Sequence, residues 1–584
     1  MSEANELEKE TPLVNNDLEN PEQERKKRLL CLLLIWISTI IFFTIIIVII
    51  YIILNSESTG SNPDQEPKND TKPDPEPDIG PFSNSSLKAL YDISVIEKET
   101  LLFNHDLLDK IYSMSIDNKK VNKTNKYIFN DNGEHKLYIK FNISLDSAEN
   151  MFNNCTTLKE IDLSEFETEN ITSLAGMFYR CTNLISLNLT SFKTKNVLNM
   201  SYLFYNCYSL KSISLNKLDT SNVIDMKYMF SGCKLITSLN LKSFNTKNVK
   251  EIKFIFHECN SLEKLERGNN FIISEITDLS GLFSGFLDLK KFDVSYIDTS
   301  HTTNISQMFK QCVKITSIDL SKFDTSNVID MNNMFSDCFS LTSINLTNFD
   351  TSNAEDMSGL FSACSKLKEL DVSFFNTSKV KNMDALFYNC RLLTSLDLSN
   401  YNTSKVVSMH RMFTYCYSME KLDLSSFNTY KVENMSYMFS FCQKLTSINL
   451  HNFNTQNVKD LQNMFYGDSS LVSIDLSSFN TPNLSFIGRM FYNCNALTSL
   501  NISNIDTSKV GSLIGIFSHC NSLKTIDIRN FNSKSLVNVN QFIDMIFTGK
   551  PSSGIVYYNS NLLNKTLIDK IFGDWEKIDI NNNI

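Results

Sequence analysis

The chain has 584 residues, 42% of them apolar, with a formal net charge of -10 and a pI near 5.4. It can bury a large core, and its acidic balance argues against a general nucleic-acid binder, which draws most of its affinity from cations on phosphates. With 16 glycines and no phosphate-loop or nucleophile-elbow motif, an enzyme is not expected.

In chain order, residues 1–28 are predicted to be an acidic cytoplasmic tail that ends in Arg25, Lys26, Lys27 and Arg28. Residues 29–54, "LLCLLLIWISTIIFFTIIIVIIYIIL", carry no charge and as a helix would cross about 30 Å of hydrocarbon. The basic cluster before this stretch and the lack of any cation after it until Lys68 predict an uncleaved signal anchor with the N-terminus in the cytoplasm. Membrane lipid is then one partner, and the plasma membrane is the expected location, with the C-terminal part outside. Residues 55–82 hold six of the ten prolines and predict an extended extracellular stalk.

Residues 83–150 are the predicted N-terminal cap. They comprise a helix-like stretch from Leu87 to Tyr112 and an alternating edge strand, "KLYIKFNI". From 151 to 545 the chain repeats. The aromatic residue of M-F-x-x-C recurs at Phe152, Phe178, Phe204, Phe230, Phe256, Phe283, Phe309, Phe335, Phe361, Phe387, Phe413, Phe439, Phe465, Phe491 and Phe517, every step but one being 26 residues. Such a period signals a solenoid, whose units bury their apolar faces only against neighbours.

Within one unit, "LTSINL" (341–346) alternates as a short strand does. "NVIDMNNMFSDC" places Val328, Met331, Phe335 and Cys338 at threes and fours, which predicts a short helix or 3-10 turn. "FDTS" between them contributes a second aromatic row, including Phe323, Phe349 and Phe375, and a threonine, such as Thr325 or Thr377, suited to bonding nearby backbone. Residues 546–584 are the predicted C-terminal cap, reached through Phe542 and Ile546, with "GIVYY", a helix near Leu562–Phe572 and Trp575 to close the core.

The combination of L-x-x-L-x-L with V-x-x-M-x-x-M-F-x-x-C-x-x-L resembles the BspA-type leucine-rich repeat surface proteins in their 26-residue variant. The resemblance implies an α/β repeat solenoid, a leucine-rich-repeat array of about fifteen coils with a parallel sheet on one face, preceded by the transmembrane helix. It further implies a surface protein for adhesion or macromolecular recognition, with an unknown extracellular protein or glycan as partner. The alternative is a structural coat protein that associates laterally with itself. The family supplies no catalytic residues.

Thirteen cysteines share one phase: Cys155, Cys181, Cys207, Cys233, Cys259, Cys312, Cys338, Cys364, Cys390, Cys416, Cys442, Cys494 and Cys520. One thiol per coil does not make a zinc site. Disulfides between coils are a second reading, but stacked side chains point the same way and Phe286 replaces one cysteine, so a buried structural ladder is expected. The candidate binding ladder is the exposed strand position Asp319, Asn345, Asp371, Asp397, Asp423, Asn449 and Asp475. It could meet cationic or hydroxyl-rich partners, or serve only as a solvated face. No cofactor or metal is expected. The 27-residue step between Phe256 and Phe283 marks an extra loop residue, and N-glycosylation acceptors such as Asn345 and Asn402 are frequent.

Overall fold

A computed structural model describes residues 85–582 apart from 97, 292 and 537–544, all within one compact unit, Gly80–Ile584. The predicted tail (1–28), anchor (29–54) and stalk (55–82) lie outside the described residues, as does Phe542.

The described residues open with strands, not the expected helix. Leu87, Ala89, Tyr91 and Ile93 alternate with more exposed residues, a period of two that suits a strand. β1 (Ser86–Ile93) is followed by β2 (Glu99–Leu101), a 3-10 turn (His105–Lys110), β3 (Ile111–Ile116), β4 (Lys119–Lys120), β5 (Lys126–Ile128), β6 (Gly133–Phe141) and β7 (Leu158–Asp162). The sheet order is β4-β3-β6-β1-β7. "KLYIKFNI" therefore supplies an interior strand, paired with both β1 and β3. β1 runs antiparallel to β7, the strand of the first coil, so this sheet covers that end of the solenoid.

The repeats form a parallel β-solenoid of about fourteen turns, which corrects the leucine-rich-repeat expectation. On one side, Ser317–Asp319 pairs in register with Ser343–Asn345, and equivalent pairs recur along the array. At about 4.8 Å per coil, fourteen turns extend roughly 67 Å. On the other side no helix forms among the described residues of 151–536. The 3-4 spacing of Val328, Met331, Phe335 and Cys338 does bury all four side chains, but Asn333 and Asp337 have φ of 52° and 62°. A right-handed helix cannot pass through left-handed residues every fourth position. The N–H groups instead alternate: those of Met334 and Ser336 close local turns onto Met331 and Asn333, while those of Asn333, Phe335 and Asp337 reach Ser358, Leu360 and Ser362 of the next coil. The turn side is thus itself a hydrogen-bonded ladder.

Two ring stacks fill the core. Phe152 to Phe517 form an unbroken column, for example Phe309–Phe335 at 5.7 Å and Phe439–Phe465 at 5.5 Å. Tyr401, Phe427, Phe453 and Phe479 form part of the second. The recurrent threonine staples neighbouring coils: Thr377 Oγ1 donates to the Asn402 carbonyl at 3.1 Å and accepts from the Asn402 N–H at 2.8 Å. The loop of the 27-residue step buries Phe271 and Ile273 and bridges Ile273 to Ile297, so its extra residue stays part of the wall. At the C-terminal end, Ile555–Tyr558 and Glu576–Asp579 continue the parallel sheet. The helix Lys565–Phe572 brings Phe572 against Phe547 and the buried Trp575.

The membrane expectations are corrected as well. Among the described residues no helix is long and apolar enough to cross a membrane. What the structure supports is a solenoid domain, and single-pass anchoring, a lipid partner and plasma-membrane location have no support in it.

Candidate functional site

The predicted strand ladder is present as a row, and its chemistry is local. Asp319, Asn345, Asp371, Asp397, Asp423, Asn449 and Asp475 are all outward-facing at the end of the strand segment. In each, Oδ1 accepts the N–H of the residue two positions later, Ser321, Thr347, Ser373, Ser399, Ser425, His451 and Ser477, at 2.9–3.2 Å. These are Asx turns that steer the chain off the strand. The bonded N–H groups hold the carboxyls of Asp319 and Asp423 below the usual range, and the seryl hydroxyls with those N–H groups do the same for Asp397 and Asp475. Among the described residues no group of three or more His, Cys, Asp or Glu is placed to hold a metal.

The thirteen cysteines form a core column of buried free thiols. Twelve donate Sγ–H to the carbonyl of a phenylalanine 29 residues earlier, at 3.0–3.4 Å, as Cys338 does to Phe309. Burial pushes the Cys338 thiol up to about 12, which keeps it protonated and unreactive. Phe286 takes the thiol's volume at the irregular coil, packing 5.9 Å from Phe283 and 6.2 Å from Phe256. Asp468 takes it once more. Its Oδ1 accepts the Cys442 N–H at 2.7 Å, its Oδ2 has no partner, and burial drives its pKa far up.

The sequence reading missed the turn face. Each coil there carries two left-handed positions four residues apart, such as Asn150 and Asn154, Gly176 and Arg180, or Gly281 and Gly285. Glycine and asparagine suit this conformation, whereas bulky residues pay about 1–2 kcal/mol in it. Even so, the same positions hold Tyr202, Tyr228, Phe254, Arg411, Tyr415, Tyr437, Phe441 and Arg489.

With tyrosines of ordinary backbone conformation beside them, most of these rings line up between coils into two half-buried tracks. In the first, Tyr202, Tyr228 and Phe254 stack at 4.9 and 5.2 Å, beside Tyr179 and Tyr205, themselves stacked at 4.9 Å. In the second, Tyr388 meets Tyr415 edge-on at 5.6 Å, Tyr415 stacks on Phe441 at 5.0 Å, Phe441 meets Tyr466 edge-on at 5.2 Å, and Tyr466 stacks on Tyr492 at 4.8 Å. His519 closes that run edge-on to Tyr492 at 5.2 Å. Glycine appears where a ring must lie over the next coil. A Cβ at Gly281 would run into the Phe254 ring, and one at Gly467 would stand 2.6 Å from that of Phe441. Between the tracks the same positions are small or polar: Gln307, Asn333 and Gly359.

The fold and its two ladders define a class: a β-solenoid repeat protein with a thiol-lined core and a surface on each flank. The chain belongs to the family described as "Mycoplasma protein of unknown function, DUF285", whose matches cover residues 102–210, 180–286, 265–370, 356–471 and 442–550. That membership overturns the BspA-type leucine-rich-repeat resemblance, and the lack of a membrane-spanning helix among the described residues overturns the single-pass surface reading, adhesion and coat alike. No curated protein matches the chain. Among solved structures, the pneumococcal vaccine antigen PcpA is similar at 16% identity over 68% of this chain and 78% of its own, with a TM-score of 0.28. Toll of Drosophila, in its complex with Spatzle, is similar at 15% identity over 68% and 56%, with a TM-score of 0.21. The functional domain of InlJ from Listeria monocytogenes, which includes a cysteine ladder, is similar at 14% identity over 69% and 74%, with a TM-score of 0.15.

Proposed function

We propose that this domain is a non-catalytic scaffold that holds an extended partner along its turn face. One observation carries the reading: aromatic and arginine side chains occupy left-handed surface positions that other coils of the same chain fill with Gly176, Gly281, Gly359 and Gly515. Ring stacking, worth about 0.5–1.5 kcal/mol per pair, offsets the backbone cost without adding core. The tracks are therefore near neutral for folding and gather tyrosine and arginine, the residues that dominate binding hot spots. On this reading the strand-face Asx row holds turns and the thiol column supplies shape.

The test is saturable binding of the full chain to arrayed proteins and glycans, repeated with Tyr202→Asn/Tyr228→Asn and with Tyr415→Asn/Phe441→Asn. Binding that either pair removes, at unchanged melting temperature, supports the scaffold. Saturable binding untouched by both pairs, or its absence altogether, refutes it.

A further inference from the structure

The two tracks differ in charge. Of the six arginines among the described residues, Arg267 pairs with Asp293 and Arg529 with Asp527. The other four, Arg180, Arg391, Arg411 and Arg489, have no carboxylate partner among those residues. Arg180 is beside the first track. Arg391, Arg411 and Arg489 flank the second, in a chain whose net charge is -10.

Their placement is specific. Arg391 lies 5.8 Å from the centroid of Tyr417, which itself contacts Tyr415, and Arg411 lies 5.2 Å from that of Tyr437. Arg489 runs over Gly515, where a Cβ would meet its Cγ at 3.0 Å. Asp384, the carboxylate on the same stretch of wall, makes no ion pair with Arg411; its Oδ1 accepts from the Ser408 hydroxyl and the His410 N–H. Burial raises Tyr388, the charges of Arg411 and Arg391 oppose it and that of Asp337 adds to it in the last place, so both cations act on the track ahead of any carboxylate. Three guanidinium groups without counter-ions beside an aromatic run of about 24 Å, five coil steps long, call for an anionic partner.

Spacing narrows the kind of partner. An extended peptide along the axis would present same-face side chains about 6.6 Å apart and a polyproline helix one face every 9.3 Å or so, both out of step with rings repeating at the coil spacing of about 4.8 Å. A chain of pyranose rings advances by about one ring per coil and offers C–H groups and hydroxyls to the ring edges that a stacked row leaves uncovered. Nucleic acid is disfavoured by the chain's overall negative charge.

We propose that the track from Tyr388 to His519 binds a carboxylate-bearing polysaccharide, its sugar rings packed on the aromatic run and its carboxylates on Arg391, Arg411 and Arg489. This rests on the scaffold reading and names its ligand class. Calorimetric titration of the full chain with polygalacturonate tests it, with polyglutamate at equal charge and neutral pullulan as comparisons. Polygalacturonate should bind at least tenfold more tightly than either. Its affinity should fall at least tenfold in Arg411→Gln/Arg489→Gln and in Tyr415→Asn/Phe441→Asn, and hold in Tyr202→Asn/Tyr228→Asn. Equal binding of polyglutamate reduces the site to bare charge and overturns the proposal, as does equal binding of pullulan or an unchanged affinity in the arginine variant. If polygalacturonate fails to bind while another arrayed partner is lost in Tyr415→Asn/Phe441→Asn, the polysaccharide assignment falls and the scaffold reading stands.

Discussion

The two flanks of this solenoid are built from the same 26-residue repeat but obey different rules. On the strand flank, one residue type answers one need: Asx oxygens cap the N–H two residues on, coil after coil. On the turn flank, the backbone demand is just as constant, two left-handed residues four positions apart in each coil, yet the occupants range from Gly281 to Tyr228 and Arg411. A constant backbone with varied side chains separates what the fold needs from what the chain adds to it. The core between the flanks stands with the strand side, because the thiol column and the threonine staples are nearly uniform.

The largest effect is expected where a ring and a left-handed glycine coincide. Gly281→Ala adds a Cβ at φ of 58° into the Phe254 ring. Urea unfolding should show a loss of about 3 kcal/mol, from left-handed strain of roughly 1–2 and overpacking of roughly 1–3. Gly515→Ala, whose new Cβ presses only on the flexible Arg489 side chain and stands at ordinary contact distance, 3.4 Å, from the Tyr492 ring, should lose about 1 kcal/mol. Equal losses would mean that ring placement does not constrain the turn flank.

Next comes Asp468, the acid in the thiol column. Its folded pKa lies above its unfolded one, so its penalty is absent below the unfolded value near 4 and grows as pH rises towards the folded value. Asp468→Cys should stabilise by about 2 kcal/mol at pH 8, with the gain shrinking towards pH 4. Thermal unfolding across that range would show it, and a gain independent of pH would contradict the assignment.

Thr377→Val removes both staples to Asn402 and should cost about 1–2 kcal/mol in the same assay. The smallest loss is expected for Asp397→Ala, which frees an exposed Ser399 N–H to find water. If Asp397→Ala cost more than Thr377→Val, the strand flank and not the core column would be the main constraint on coil stacking.

Much of this was legible from residue order. The positions of Phe152 to Phe517, the single longer step and the cysteine phase appear on the page because a solenoid writes its period directly into its sequence. The first strand was read as a helix because Leu87–Tyr112 mixes both periods, and its choice was settled by pairing with β6 and β7. The turn side was misread for a related reason. Apolar residues at threes and fours point inward along a helix, but they do so equally in a run of tight turns with a left-handed break every fourth residue. Side-chain spacing cannot tell the two apart where Gln307, Tyr228 or Arg411 stand at the break.

The sequence by itself determined the period, the inward-facing rows and the one-thiol-per-coil column, because each follows from which residues share a phase. Only the tertiary structure decided that the opposite wall is a β-like ladder, that the threonine bonds the next coil and not its own turn, and that the surface rings meet. All three depend on backbone groups and side chains 25–26 residues apart being brought to hydrogen-bond or ring-contact distance by stacking, and no local pattern specifies which neighbour they find.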